Sequence, residues 1–322
     1  MSGMWVKPEK QTEVVQFVAY WHQRSGVTIN QMLRWLAVAP GKYYRWQKEA
    51  GQAGMSGPTP PKSHWLLPAE RRAIVAYAQQ HPQWGYRYLS YQMLDEDVAA
   101  VSPSSVYRVL KAANLVAHKA KTSSKKGKGF TQPTRAHQHW HIDISYLNIC
   151  GTFYYLCSIL DGYSRYLVHW EIREQMTEVD VEIIVQRALE KFPKVTPRLI
   201  SDNGPQFIAR DFKAFVREQG LTHVRISPGY PQSNGKKERW FQTLKGECIR
   251  LKTPLSVQDA RRVVSHFVSD YNEVRLHSAI GYVTPLARLT GQDARILADR
   301  QKKLQQARDK RRAVQQQQKC LA

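Results

Sequence analysis

Apolar positions along this chain change their period near residue 139, and the change separates two kinds of architecture. Before it they recur at helical spacing over Glu13–His22 and Ile29–Leu36, with Pro40–Lys48 able to start a third helix, and the pattern returns more clearly over Pro68–Gln80, Tyr88–Leu94 and Ser104–Ala113. Pro68 fits a helix start, and Ser102-Pro103-Ser104-Ser105 supplies an N-cap with proline at the first helical position. From His139 the period shortens to two. Strands are expected over His139–Ile149 and Thr152–Leu160, joined by a tight turn at Gly151, and the turn Asp161–Arg165 leads into a third strand, Tyr166–Glu171. The pattern then alternates. It predicts a helix over Val179–Phe192, a short buried strand at Arg198–Ser201, a helix over Asp211–Gln219, a strand-like His223–Ser227, and helices over Lys236–Arg250 and Val257–Asn272.

Two segments interrupt these patterns. Residues 51–61 are rich in glycine and proline, and residues 121–129 are small, polar and cationic. They suggest an N-terminal helix-turn-helix domain (1–50), a linker (51–62), a second helix-turn-helix domain that binds DNA (63–120), a basic linker (121–134), a catalytic core (135–291) and a basic tail (292–322). A three-strand meander running into alternating helices and strands is the ribonuclease H-like order. The expected fold class is therefore α/β: a ribonuclease H-like catalytic core preceded by two small all-α helix-turn-helix domains and followed by a basic helical tail. Each helical domain can also be read as a small bundle with a solvated basic face, and the tail as a solvated segment.

Charge sharpens the division. The 322 residues carry a formal net charge of +22, which points to a polyanionic partner. Residues 1–133 hold 18 Lys/Arg against 7 Asp/Glu, a net of +11, and residues 292–322 hold 9 against 3, a net of +6. Residues 134–291 hold 21 against 16, only +5, as if the flanks grip nucleic acid while the centre performs chemistry. On the helix Ser104–Ala113, Ser105, Arg108 and Lys111 fall three residues apart near one face, with Val106, Val109 and Leu110 opposite, which suits a recognition helix in a major groove. Lys125, Lys126 and Lys128 of the second linker are expected near phosphates. The four cysteines form no CxxC pair, and no signal peptide or membrane-length apolar run is legible, so a cytoplasmic protein without a membrane partner is expected.

Three acids stand apart. Asp143 lies mid-strand between Ile142 and Ile144, Asp202 lies where a strand ends, and Glu238 lies in the opening turn of a helix. Singly, each has an ordinary explanation: an edge strand facing solvent, a turn, a surface acid near a helix start. Jointly they suggest one catalytic and metal site. Two Mg²⁺ ions about 3.5–4 Å apart activate the nucleophile and stabilise the leaving oxygen in phosphodiester transfer, and hard cations take carboxylate oxygens. Mn²⁺ is expected to substitute. Glu238, Gln242 and Lys245 fall at i, i+4 and i+7 on one helix face, which directs Lys245 to the same cleft, and Lys236, Lys237 and Arg239 are expected to add phosphate contacts. A solvated helix face is the alternative for these cations.

The residues around the acids resemble a known family. WHIDISYL with Asp143, the hairpin YYLCSILDGYSRYLVHW, SDNGPQF, SPGYPQSNGKKERWFQTLK and YNEVRLHSAIGYVTP resemble the integrase core. The Glu238–Lys245 spacing looks like that of insertion-sequence DDE transposases closest to retroviral integrases, and WGYRYLSYQML with SPSSVYRVLKAANLV is similar to the helix-turn-helix that precedes the core in them. INQMLRWLAVAPGKYYRWQK looks like the start of their catalytic reading frame, so the resemblance covers most of residues 27–290. It implies a DDE transposase that binds terminal inverted repeats, nicks 3′ ends and joins them to target DNA by direct transesterification. Its partners would be double-stranded DNA, both transposon ends and target, and further copies of the same chain on that DNA. A domesticated, catalytically silent DNA-binding regulator and a ribonuclease H-type nuclease are the competing readings.

Overall fold

A computed structural model describes residues 8–51, 65–116, 132–226 and 235–320, and the chain divides into two compact units, Met1–Trp65 and Leu66–Ala322. The first unit holds α1 (Pro8–Ser25), α2 (Ile29–Trp35) and α3 (Pro40–Gly51) around a small core of Val18, Met32, Leu33 and Tyr43. Phe17, Tyr20, Trp21, Trp35 and Tyr44 remain exposed on it.

The second unit opens with another three-helix group, α4 (Pro68–Gln80), α5 (Tyr86–Asp95) and α6 (Pro103–Ala112). Ile74, Leu89, Met93, Val106 and Leu110 form its core. The Ser102 hydroxyl caps α6 by accepting from the Ser105 N–H at 3.4 Å, and the Glu70 carboxylate accepts from the Leu67 N–H at 2.8 Å at the start of α4.

A five-stranded sheet follows, in the order β3-β2-β1-β4-β5: β1 (His139–Ile149), β2 (Thr152–Asp161), β3 (Leu167–Arg173), β4 (Arg198–Ser201) and β5 (Thr222–Arg225). The first three strands are antiparallel, whereas β4 and β5 run parallel to β1 beyond it, the ribonuclease H-like arrangement. Parallel neighbours require crossovers, and α7 (Glu178–Lys191), α8 (Pro205–Ile208) and α9 (Arg210–Glu218) supply them. Strand alternation divides the apolar residues between two cores. Trp140, Ile142, Ile159 and Leu199 pack with Val181, Ile184 and Phe212 on one face. Leu147, Ile149, Leu156 and Leu160 pack on the other with Trp240, Phe241 and Leu244 of α10 (Gly235–Leu244) and Val264 and Tyr271 of α12 (Val257–Glu273). Each fully buried aromatic or aliphatic side chain contributes roughly 1.5–3 kcal/mol, so this second layer firmly fixes α10 over the sheet.

The helix expected over Lys236–Arg250 runs instead through α10, a π turn (Lys245–Ile249) and α11 (Arg250–Lys252). After α12 come a 3₁₀ turn (Ser278–Ile280), α13 (Pro285–Leu289) and α14 (Asp293–Cys320). The last helix is held to the second three-helix group by two arginines, nearly buried at the side chain: Arg300 pairs with Asp95 at 2.6 Å and Arg311 with Glu70 at 2.8 Å. No described helix is long and apolar enough to cross a membrane.

Candidate active site

Strand register places the first two acids. In β1, Ile142 is fully buried and Ile144 packs in the same core with α7 and α9, so Asp143 between them points to the opposite face, under α10. β4 runs parallel to β1 with His141 opposite Ile200, and extending that register by two residues sets Asp143 level with Asp202 at the carboxyl end of the sheet. Strand alternation puts the Asp143 carboxylate on the α10 side, and Asp202 follows one residue past the end of β4. Asp143 accepts from the Ile144 N–H at 2.8 Å, and Asp202 accepts from the Gly204 N–H at 3.0 Å. A Cβ added at Gly204 would approach that Asp202 oxygen to 3.1 Å, so glycine suits the turn.

The helix that carries Glu238 is pinned to the same spot. Ser158 is the cross-strand partner of Asp143, and the fully buried Lys237 donates from Nζ to the Ser158 carbonyl at 2.6 Å and to its hydroxyl. Trp240 Nε1 donates to the same hydroxyl at 3.2 Å. Burial pushes the Lys237 ammonium down to about 8, with Asp143 opposing that shift. Glu238 itself is exposed on the first turn of α10. Gln242 is exposed one turn further on, and Lys245 is half-buried at the start of the π turn. Burial also lowers Lys245, and Asp143 acts on it in the opposite sense, which puts this lysine within electrostatic reach of the sheet's carboxylate. Among the described residues no group of three or more His, Cys, Asp and Glu side chains lies close enough to hold a metal ion. The donors are all carboxylate oxygens and so suit a hard divalent cation by their chemistry. Asp143 lies within β1, Asp202 one residue past the end of the neighbouring β4, and Glu238 is exposed on the helix packed over β1.

The other residues named from sequence divide three ways. The phosphate contact expected of Lys237 is corrected: Lys237, Trp240, Phe241 and Leu244 fall at i, i+3, i+4 and i+7, which puts this lysine on the buried stripe of α10. The stripe was legible in the sequence. Lys236 is engaged within the protein, donating to the Gly162 carbonyl at 2.9 Å, and burial with the neighbouring Arg165 pushes it down to about 7. Arg239 is exposed. On α6, Arg108 and Lys111 are exposed opposite the buried Val106 and Leu110, whereas Ser105 is half-buried with its hydroxyl 3.1 Å from that of Ser102. Lys125, Lys126 and Lys128 lie outside the described residues. Ser158 was missed because a serine within an apolar strand carries no signal until its cross-strand partner is known.

Comparison with known proteins agrees with this architecture. Two models described as Integrase core domain match the chain, at residues 133–231 and 219–285. An uncharacterized 39.2 kDa protein of insertion element IS476 from Xanthomonas euvesicatoria is 25% identical over 270 residues, covering 82% of this chain and 76% of its own. The putative transposase InsK of insertion sequence element IS150 from Escherichia coli is 24% identical over 230 residues, covering 67% of this chain and 81% of its own. An uncharacterized protein of insertion element IS136 from Agrobacterium fabrum is 30% identical over 175 residues, covering 51% of this chain and 90% of its own. That last coverage, together with integrase-core matches spanning the sheet and the helices behind it, carries the assignment: the chain belongs to the insertion-sequence transposases with an integrase-like core.

Proposed function

We propose that the protein binds the inverted repeats at the ends of its element, nicks their 3′ ends and joins them to target DNA, with Asp143, Asp202 and Glu238 as the catalytic carboxylates. The observation that supports this reading is the parallel pairing of β1, which bears Asp143, with β4, whose end leads directly into Asp202, beneath the layer to which α10 and Glu238 belong. These three side chains would hold a pair of Mg²⁺ ions, for which Mn²⁺ could substitute. When bound, such ions supply Lewis-acid activation of the attacking oxygen and charge stabilisation on the leaving one. The chain's own residues do the rest. Lys237 and Trp240 fix the first turns of α10 against Ser158, the cross-strand partner of Asp143, and Glu238 follows Lys237 on that same turn. Lys245, near Asp143, is positioned to neutralise a DNA phosphate entering from the helix side. Arg108 and Lys111 on α6 form the base-reading or phosphate-gripping face of a helix-turn-helix. Chemistry at two DNA ends requires at least two copies of the chain on the DNA.

The test combines purified protein, Mg²⁺ and a duplex ending in the repeat that brackets the coding region. Release of a 3′-hydroxyl at the terminus, followed by joining to a plasmid, supports the reading, and binding without cleavage under any divalent ion refutes it. That second outcome would favour a catalytically silent DNA-binding regulator.

A further inference from the structure

Between the start of α5, the outer side of α10 and residues 275–282 lies an open cleft of about 1320 Å³. Its walls include Arg87, Arg165, Lys236, Arg239, Arg275 and His277, and Glu247 is the one acid among its lining residues. Glu247 is already taken by Arg275, at 2.9 Å between Nη2 and Oε1 and through a second contact. The remaining cations line the same cleft, Lys236 among them with its ammonium on the Gly162 carbonyl. Arg165 is the telling one. The buried Asp161 accepts from the Ser164 N–H at 2.7 Å and from the Ser164 hydroxyl at 2.6 Å, and this tight turn leaves Arg165 at φ +66°, in the left-handed region that favours glycine. Its guanidinium lines the cleft with Nε and Nη1 buried and without a hydrogen-bond partner. Burial lowers this guanidinium, opposed by Tyr271 and by Asp161, whose oxygens are already engaged by the His137 N–H and by Ser164. On strained backbone beside Lys236 it is therefore costly unless a further anion completes it. His277 reports the same field: burial first, then Arg165, Arg275 and Arg239, hold its imidazole down at about 4.

We propose that this cleft is a phosphodiester-binding subsite separate from the carboxylates, in which Arg165 and Arg239 grip the backbone of a DNA strand passing between the second three-helix group and α10. The proposal rests on the reading of the protein as a transposase acting on DNA ends. A strand is favoured over an isolated phosphate for two reasons. The cleft is many times larger than one phosphate, and its two walls come from the groups to which DNA gripping and chemistry are assigned. Tyr86 and Tyr282 on the walls offer ring surface beside the cations.

The experiment measures binding of a labelled duplex from the element's end by fluorescence anisotropy across a series of salt concentrations, without Mg²⁺. Arg165→Gln and Arg239→Gln should each weaken binding and lower the slope of log K against log salt by about 0.9, the value for one lost phosphate contact on duplex DNA. Arg165→Lys should restore most of the slope, and Ser278→Glu, at the exposed rim, should weaken binding without touching any of the arginines. Should Arg165→Gln fail to fold, Arg239→Gln and Ser278→Glu decide the matter on their own. Wild-type binding with unchanged slopes in the variants that fold overturns the cleft while leaving the transposase reading intact. A wild type that binds no duplex at any salt overturns the transposase reading itself. A third arm titrates inorganic phosphate: Arg165-dependent thermal stabilisation by phosphate, with unchanged DNA slopes, would make this a free-phosphate site and overturn the strand.

Discussion

The two sides of α10 are built on opposite electrostatic plans. On the sheet side lie the acids Asp143 and Asp202, each with a backbone donor: the Ile144 N–H for Asp143 and the Gly204 N–H for Asp202. The one α10 cation turned that way, Lys237, is buried on Ser158. On the outer side lie cations, and Arg165 has guanidinium nitrogens that are buried and unpartnered. The buried stripe Lys237-Trp240-Phe241-Leu244 keeps the two apart. Consecutive lysines work the boundary in opposite directions, Lys237 reaching inward to Ser158 and Lys236 reaching across to Gly162. A single helix can therefore present a cation-seeking surface and an anion-seeking surface because its packing stripe is wide and apolar enough to separate them.

The sharpest way to break this comparison is to neutralise the acid side. Asp143→Asn, Asp202→Asn and Glu238→Gln should each cut 3′-end release at least about 10³-fold, since several kcal/mol of transition-state charge stabilisation is removed at about 1.4 kcal/mol per tenfold. Duplex affinity measured without metal should stay within a factor of about two. A variant that cleaves at the wild-type rate removes that residue from the mechanism, and chelation of divalent ions should mimic the triple loss. Next in size is the inward anchor. Lys237→Met leaves the Ser158 carbonyl and hydroxyl without their ammonium donor, and should lower stability by about 1–3 kcal/mol in urea unfolding with an unchanged m value. The outward anchor should cost somewhat less. At Gly162 an added Cβ would meet His141 Nε2 at 2.9 Å and the His139 carbonyl at 3.2 Å, so Gly162→Ala forces a shift of about 1–2 kcal/mol. That shift also moves the carbonyl that holds Lys236. Equal losses for the two anchors would argue against a division of labour between them.

Much of this arrangement was legible in the chain itself. Alternation in β1 set Asp143 against Ile142 and Ile144, and the sequence marked α1 to α6 because amphipathic periodicity and proline starts are local properties. The π turn at Lys245–Ile249 was not legible, since an added residue per turn answers to the packing of Cys248 and Ile249 rather than to any local signal. The cationic cleft was hidden for a different reason. Arg87, Arg165, Arg239 and Arg275 lie in four separate stretches of the chain, and only the fold brings them to one cleft. Lys237 shows the intermediate case: its stripe was readable, but a lysine beside Lys236 and Arg239 invites assignment to the surface.

The smallest effect expected is also the most discriminating for the cationic side. His277 sits at about 4 against an ordinary value of 6.5, so between those values the unfolded chain binds a proton that the folded chain refuses. Its contribution is therefore intact above pH 6.5 and is lost as pH falls toward 4, with a slope of at most about 1.4 kcal/mol per pH unit. His277→Asn removes that proton while keeping a side-chain acceptor for the Ala279 N–H, 3.3 Å away, so the 3₁₀ turn should persist. Acid unfolding should become shallower but not vanish, because burial also lowers His137, His139, His141, His169 and His223. The groups acting on His277 are Arg165, Arg275 and Arg239, with Tyr271 at 6.1 Å between ring centres. A phosphate seated among those arginines would screen them and ease protonation, so wild-type duplex affinity should strengthen more between pH 7 and 5.5 than that of His277→Asn. Identical pH profiles for the two would mean that DNA leaves the arginines facing His277 as they are in the free protein.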